Sequence, residues 1–172
     1  MGNSVNDGKI SVARSGAHWV LRFEGEIRFT LSPALNQLLN NAFADPQSEQ
    51  FLLDLSQVVS IDSTNLGVLV RVAQFARERG APAPIIISPN PSITGLLHGI
   101  CFEQLFTILP SADYQAEQLT ELTPLAADES ALLILVLEAH KRLCALDQKN
   151  HAEFQDLVTA LEQQAGGSST PK

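Results

Sequence analysis

The first part of the chain alternates apolar and polar positions and then changes to helical spacing. Residues 9–14 and 18–23 alternate on either side of a Ser-Gly turn, which predicts a β-hairpin. Ser32-Pro33 is a typical helix start, with Ser as the cap and Pro at the first helical position. Apolar positions then recur at helical spacing up to Asp45-Pro46, which ends the predicted helix.

The middle of the chain predicts buried strands, each followed by a helix. Residues 50–55 and 84–88 are nearly continuous apolar runs, typical of strands that are buried on both faces. Amphipathic helices are expected after Asp62 and after Asn90, and residues 102–109 predict a last strand at a sheet edge. Strands that alternate with helices predict an α/β fold, a mixed sheet of about five strands with helices packed against it.

The C-terminal part is a predicted helical extension, residues 122–165. Thr123-Pro124 is another cap-plus-proline start, and no Gly or Pro interrupts residues 125–165. A single helix of that span would be roughly 60 Å long at ~1.5 Å per residue. We expect one long helix; a break near residues 147–150, where the apolar stripe becomes polar, would give a hairpin instead.

These patterns divide the chain into a disordered N-terminus (1–7), an α/β domain (8–121), the extension (122–165) and a disordered tail (166–172). The apolar stripe of the extension has two possible partners. It can pack back on the α/β domain, or it can pair with a second copy and form a homodimer. We favour packing within the chain, with the far end left for docking another protein.

Charge and cysteine content narrow the possible partners. The net charge is −8 and the pI about 4.8, which argues against a nucleic-acid-binding surface and disfavours anionic lipid. Cys101 and Cys144 are too few and too far apart for a disulfide framework. The longest apolar run, residues 131–137, is too short to insert into a membrane. We therefore expect a soluble cytoplasmic protein whose partners are other proteins.

The sequence contains little that indicates a catalytic or metal-binding site. His140 and Cys144 have an i, i+4 spacing that could supply two metal ligands, but no third ligand accompanies them. No glycine-rich phosphate loop is present, and spacing alone identifies no base for a serine nucleophile. We expect no cofactor, no metal and no enzymatic activity.

The most informative segment is Asp62-Ser63-Thr64-Asn65, four polar residues that open an apolar helix. Such residues usually only cap the helix. A helix N-terminus also favours a phosphate, through its dipole and free N–H groups. Spacing does not choose between Ser63 as a cap and Ser63 as a phosphorylated switch.

Four landmarks in order make residues 9–109 resemble the STAS domain, a family named for sulfate transporters and anti-sigma factor antagonists. They are residues 25–27, 53–56, 61–67 and 102–106. The middle two, Leu-Asp-Leu-Ser and Ile-Asp-Ser-Thr-Asn-Leu-Gly, are the specific ones. The resemblance covers about three-fifths of the chain and leaves the helical extension outside.

The resemblance to bacterial anti-sigma factor antagonists implies a function. In that group the Ser after the Asp is phosphorylated by a GHKL-type serine kinase that is itself the anti-sigma factor, and a PP2C-type phosphatase removes the phosphate. The unphosphorylated antagonist binds the kinase. Carried over, Ser63 is the phosphoacceptor, Asp62 its flanking acid and Thr64 an alternative acceptor. The helix that begins at Ser63 and the loop from Gly25 to Ser32 would form the docking face.

Three residues of this docking face depart from the family pattern. Thr64 replaces the second Ser and leaves a second possible acceptor. Asn65 replaces the usual Gly, which adds bulk and could narrow the choice of partner. Arg28 stands where many antagonists carry Asp, and could pair with phosphorylated Ser63 or mark a different partner. An alternative function is therefore a non-switching STAS subunit or scaffold of a transport or signalling complex, in which Ser63 is only a cap.

Overall fold

The computed structural model describes residues 7–116 and 118–167. They form one mixed sheet, four helices against or beside it, and a further helix that packs mainly on the fourth. The strands are β1 Lys9–Ser15, β2 His18–Ile27, β3 Gln50–Ile61, β4 Ile85–Ile87, β5 Thr107–Leu109 and β6 Thr120–Glu121. The helices are α1 Ser32–Ala44, α2 Ser63–Glu78, α3 Pro91–Gly99, α4 Glu129–Cys144 and α5 Gln148–Gly167.

The sheet has the order β5-β4-β3-β2-β1-β6. Strands β2 to β5 are parallel to one another, whereas β1 is antiparallel to both β2 and β6. The predicted hairpin and mixed sheet are confirmed. Because β2 and β3 are parallel, their last residues, Ile27 and Ile61, lie opposite each other. The residues that follow them share one sheet edge, where the Asp62 N–H donates to the Ile27 carbonyl at 3.1 Å.

The predicted start of α1 is wrong in one detail. Leu31 occupies the N-cap position and Ser32 lies inside the helix, after a short 3-10 turn at Phe29–Leu31. Ser32 is fully buried, and its hydroxyl donates to Asn65 Oδ1 at 3.1 Å. The hydroxyl therefore joins α1 to α2 and does not cap its own helix.

The strands at the two sheet edges also differ from expectation. Only Thr107–Leu109 pairs as β5, because Phe102–Gln104 forms a 3-10 turn that places the Phe102 side chain in the core. β5 does lie at an edge, as predicted. The other edge is β6, two residues that the sequence pattern does not indicate. The described sheet thus has six strands.

The helical extension is a hairpin, and the expected single long helix is wrong. α4 begins at Glu129 and not at Thr123, because the Asp128 side chain accepts a bond from the Ala131 N–H at 2.7 Å and caps the helix. After α4, Asp147 accepts from the Lys149 N–H at 2.9 Å and starts α5. The break falls at the start of the polar stretch that the sequence offered as the alternative.

At both ends of the chain, the described residues extend slightly into the segments predicted to be disordered. α5 continues through residues 166 and 167, the first two of the predicted tail, and Asp7 forms an isolated bridge with Glu26. Residues 1–6 and 168–172 lie outside the described residues, so the disorder predicted there stays a prediction. No helix in the described part of the chain is long and apolar enough to cross a membrane.

α2 is buried on more than one side. Five consecutive residues, 66–70, are buried, which a helix on a solvent-exposed surface cannot achieve. α2 contacts β3, α1 and α4. Ala139 and Leu143 of α4 belong to the same buried cluster as the sheet residues. The hydrophobic core therefore extends from the sheet through α2 to α4.

Candidate protein-binding site at the start of α2

Asp62 is the N-cap of α2. Its Oδ1 accepts bonds from the backbone N–H and from the side-chain amide of Asn65, both at 2.9 Å. Asp62 has extended backbone geometry, as N-cap residues do. The interpretation of Ser63 as the cap is therefore wrong, because the Asp62 side chain already accepts the bond from the Asn65 N–H.

Ser63 is the first residue of α2, and its hydroxyl contacts α4. Ser63 Oγ lies 2.9 Å from Nε2 of His140, which is 77 positions further along the chain. The other ring nitrogen of His140, Nδ1, lies 2.7 Å from the Val136 carbonyl. A carbonyl can only accept, so Nδ1 carries the proton, and in the neutral ring Nε2 accepts the proton of the Ser63 hydroxyl.

His140 is the residue of this site that the sequence did not connect with Ser63. It is 2% exposed, and its ring meets Phe154 of α5 edge to face at 5.7 Å. Both ring nitrogens are hydrogen-bonded, which leaves neither for a metal. Among residues 7–116 and 118–167, no group of three or more His, Cys, Asp or Glu side chains could hold an ion. The apolar run at 66–70 was the available signal that something covers the far side of α2.

The next two residues of the motif are buried. Thr64 is 6% exposed and Asn65 is fully buried. The Asn65 side chain connects the Asp62 carboxylate to the Ser32 hydroxyl, so it holds α1 against the start of α2. The Asn65 side chain, which glycine would lack, fills the space between α1 and α2. Its predicted role in partner choice stays a prediction.

Gly25 and Arg28, the two predicted binding residues on β2 and its loop, lie in different environments. Gly25 is buried inside β2 next to a register shift, with φ +78°, a conformation that favours glycine. Arg28 follows β2 and is largely exposed, with its guanidinium paired to Glu26. Arg28 thus lies at the same sheet edge as Asp62, and both predicted roles remain predictions.

The backbone of α4 lies close to α2 one turn after Ser63. A Cβ atom added to Gly67 would lie 2.3 Å from the Ala139 carbonyl oxygen, so only glycine permits this contact. One turn further, Arg71 donates to the Asn40 side chain of α1 at 2.7 Å. Burial and the charge of Arg142 on α4 both lower the pKa of Arg71. Ser63 and Gly67 therefore lie on the face of α2 that α4 covers, and Arg71 bonds α1 one turn further on.

The Leu-Asp-Leu-Ser motif has a structural role on the sheet. Asp54 is 4% exposed, and it accepts bonds from the Ser56 N–H at 2.9 Å and from the Tyr114 hydroxyl. Burial raises the pKa of Asp54, but the bonds from Ser56 and Tyr114 and the charge of Arg22 outweigh it and leave the pKa lowered. Asp54 thereby ties the segment around Tyr114 to β3.

The comparison with known families identifies the class of protein. Residues 9–114, more than half of the chain, match the STAS domain family, and the chain belongs to it. The α4–α5 hairpin lies outside the matched residues.

Individual relatives agree with this family. The chain is 27% identical over 103 residues to an anti-sigma F factor antagonist of Paenibacillus polymyxa, a match that covers 60% of this chain and 85% of the relative. The solved structure of the anti-sigma factor antagonist SpoIIAA in its unphosphorylated form superposes with a TM-score of 0.51 at 12% identity, over 60% of this chain and 89% of that one. An anti-sigma factor antagonist from Mycobacterium paratuberculosis gives a TM-score of 0.50 at 21% identity, over 61% and 87%. These structures share the fold.

Proposed function

We propose that this protein is a phosphorylation-gated binding switch of the anti-sigma factor antagonist type. In the unphosphorylated form, the face of α2 that begins at Ser63 binds an anti-sigma factor that is also a GHKL-type serine kinase. Phosphorylation of Ser63 ends that binding, and a PP2C-type phosphatase restores it. The observation that carries the proposal is the position of Ser63 as the first residue of α2, directly after its Asp62 cap, in a chain of the STAS family.

Helix electrostatics and burial support Ser63 as the acceptor. The dipole and free N–H groups of a helix N-terminus favour a phosphate there. A phosphoserine adds about −1.5 to −2 charges, here beside the Asp62 carboxylate. Such a charge can repel a docking protein while the fold is retained. Ser63 is half-buried whereas Thr64 is buried, which favours Ser63 over Thr64.

A phosphorylation assay tests the acceptor. The purified chain is incubated with ATP and, one at a time, with purified GHKL-type kinases from the same genome, and the peptide that contains Ser63 is analysed by mass spectrometry. We expect one phosphoryl group on Ser63, lost in Ser63→Ala and retained in Thr64→Ala. Modification that survives Ser63→Ala would assign the acceptor elsewhere.

A binding assay tests the gate. We expect Ser63→Ala to bind the kinase and Ser63→Asp to lose at least about tenfold in affinity, since charge repulsion at an interface costs several kcal/mol. Ser15→Asp is the matched control, because Ser15 is an exposed serine at the opposite end of the β1–β2 hairpin. Equal binding by Ser63→Ala and Ser63→Asp would contradict the gate.

A second candidate is a non-switching STAS subunit or scaffold of a transport or signalling complex. The observation that favours it is the Ser63–His140 hydrogen bond, which gives the hydroxyl a packing role. Under this function, substitutions at Ser63 alter stability and leave binding unchanged. Protein purified from its native host would then carry no phosphoryl group on Ser63 under any growth condition.

Three further features belong to the proposal. Exposed Arg28 contributes to partner binding, so Arg28→Ala should weaken the kinase complex and leave the unfolding transition unchanged.

α5 carries Leu157, which is 42% exposed, and can pair two copies in a homodimer. Light scattering of the wild-type chain and of Leu157→Asp tests this pairing. The protein acts in the cytoplasm, by protein binding and not by catalysis.

A further inference from the structure

α4 occupies the face of α2 that contains the predicted phosphoacceptor. Two positions of α2, one turn apart, face α4: Ser63 bonds His140 at 2.9 Å, and Gly67 lies against the Ala139 backbone. Residues four apart lie on the same side of a helix. Along this face α2 is therefore covered by the chain itself.

We propose that α4 is an internal competitor for the docking face of α2, and that the closed α4–α5 hairpin and a phosphoryl group on Ser63 exclude each other. The inference rests on the proposed function for the identity of the acceptor and of the docking face. It adds a regulatory step, because a kinase or binding partner reaches α2 only when α4 leaves it.

The chemistry of the Ser63–His140 contact explains the exclusion. With the His140 ring neutral, the Ser63 hydroxyl of the closed form donates its proton to Nε2. A phosphorylated Oγ has no proton to donate, so Nε2 would lose its partner at a site where His140 is 2% exposed. The phosphoryl charge would also be desolvated beneath α4, which is unfavourable without a cationic partner. Displacement of α4 returns both groups to water.

Opening exposes the buried residues of α4, among them Ala139 and Leu143, and the segment before α4 permits the movement. Residues 123–128, which join β6 to α4, are exposed at every position, so α4 can move without disturbing the sheet. Among the described contacts, the Asn150 side chain of α5 donates from Nδ2 to the Ile100 carbonyl at 2.8 Å, and Asp147, just before α5, accepts from Gln104 Nε2 at 3.4 Å. The charge of Arg142 on α4 also lowers the pKa of Arg71 on α2, so the two cations repel each other in the closed form.

Hydrogen–deuterium exchange of the full chain measures the opening. Ala139→Glu places a charge at a fully buried position of α4, and Ala160→Glu makes the same change at an exposed position of α5. We expect exchange in residues 129–144 to accelerate about tenfold or more in Ala139→Glu and to stay at the wild-type rate in Ala160→Glu. Unchanged protection of β3 in the same spectra shows that the domain remains folded.

The phosphorylation-mimicking variant tests the exclusion itself. We expect Ser63→Asp to accelerate exchange in residues 129–144, whereas Ser15→Asp does not. If Ala139→Glu opens the hairpin and Ser63→Asp leaves it fully protected, a negative charge at Ser63 is compatible with closure and the inference is overturned. If Ala139→Glu does not accelerate exchange either, α4 is not held by α2 and the inference also fails.

The kinase assay separates this inference from the proposed function. If a kinase modifies Ser63, we expect Ala139→Glu to be phosphorylated about tenfold faster than the wild type. Equal rates would show that α4 does not restrict access. If no kinase modifies any variant, the proposed function fails, while the exchange measurements still decide whether charge at Ser63 releases α4.

Discussion

α4 and α5 are neighbouring helices of one hairpin, yet they relate to the domain differently. α4 contributes Leu137, Ala139, His140 and Leu143 as buried residues, and two of these join the main hydrophobic cluster. α5 contributes one buried residue, Asn150, and it is polar. Most other α5 residues are exposed, and Phe154 packs against the hydrophobic cluster and the His140 ring.

The different burial of α4 and α5 shows that the folded unit extends beyond the residues that match the STAS family. The match stops at residue 114, while the core continues into α4. α4 covers α2 as an integral helix of the domain would, and α5 lies outside it. Contacts of α4 should therefore contribute far more to the free energy of unfolding than contacts of α5.

The largest expected effect is the loss of a core leucine from α4. Leu143 is fully buried, so Leu143→Ala should lower the free energy of unfolding by about 2–5 kcal/mol. Leu157 on α5 is 42% exposed, and Leu157→Ala should stay within about 0.5 kcal/mol of the wild type. Urea denaturation measures both. Equal losses would remove the distinction between the two helices.

The close approach of α4 to α2 predicts the next effect. Gly67→Ala places a methyl group against the Ala139 backbone, which cannot rotate away, and should cost at least about 1–3 kcal/mol. Gly95 of α3 has open space at the corresponding position, so Gly95→Ala should stabilise the protein by about 0.5–1 kcal/mol. Thermal unfolding should thus show shifts of opposite sign, and a tolerated Gly67→Ala would mean that α4 is not held at this distance.

The Ser63–His140 bond predicts a coupling of moderate size. A double-mutant cycle of Ser63→Ala and His140→Ala should give an interaction energy of about 0.5–1.5 kcal/mol in urea denaturation. Thr159 of α5 bonds only within its own helix, to the Gln155 carbonyl at 3.0 Å, and serves as the control. Coupling of Thr159→Ala with His140→Ala should be near zero; a similar value in both cycles would contradict a specific bond.

The smallest expected effect concerns the attachment of α5. Asn150→Ala removes the bond to the Ile100 carbonyl, but it also removes Oδ1, a buried atom without a hydrogen-bond partner among the described residues. Since the two effects oppose each other, the net loss should be about 1 kcal/mol or less. Exchange of residues 148–167 should accelerate while that of residues 129–144 does not. Acceleration in both would show that the helices open as one unit.

Much of the fold could be predicted because it depends on local patterns. Alternation in β1 and β2, the apolar runs of β3 and β4, and the polar start of α2 each indicate their element within a few residues. The errors arise where a side chain has a distant partner. Ser32 resembles a cap but bonds Asn65, and Phe102 resembles a strand residue but fills the core from a 3-10 turn.

The sequence predicted where the candidate site lies in the chain, but it did not predict which residues surround the site in the fold. The Asp-Ser-Thr-Asn motif and the family resemblance identify Ser63 as the residue of interest from the sequence. Only the structure could show which residue caps α2. Both Asp62 and Ser63 have suitable side chains, and the backbone geometry distinguishes them. Sequence spacing could not predict the contact between His140 and Ser63. The apolar pattern of a helix predicts which face is buried, but it does not predict which distant residue that face contacts.

By itself, the sequence determined the order of strands β1 to β5 and helices α1 to α3, the position of the Asp-Ser-Thr-Asn motif and the family of the α/β domain. These follow from residues that are close together in the chain, where periodicity and capping act directly. Only the tertiary structure decided that the extension folds back as a hairpin and that α4 covers the start of α2. The Ser63–His140 and Gly67–Ala139 contacts join residues more than 70 positions apart. Such pairs depend on the path of the chain through space, which no local pattern contains.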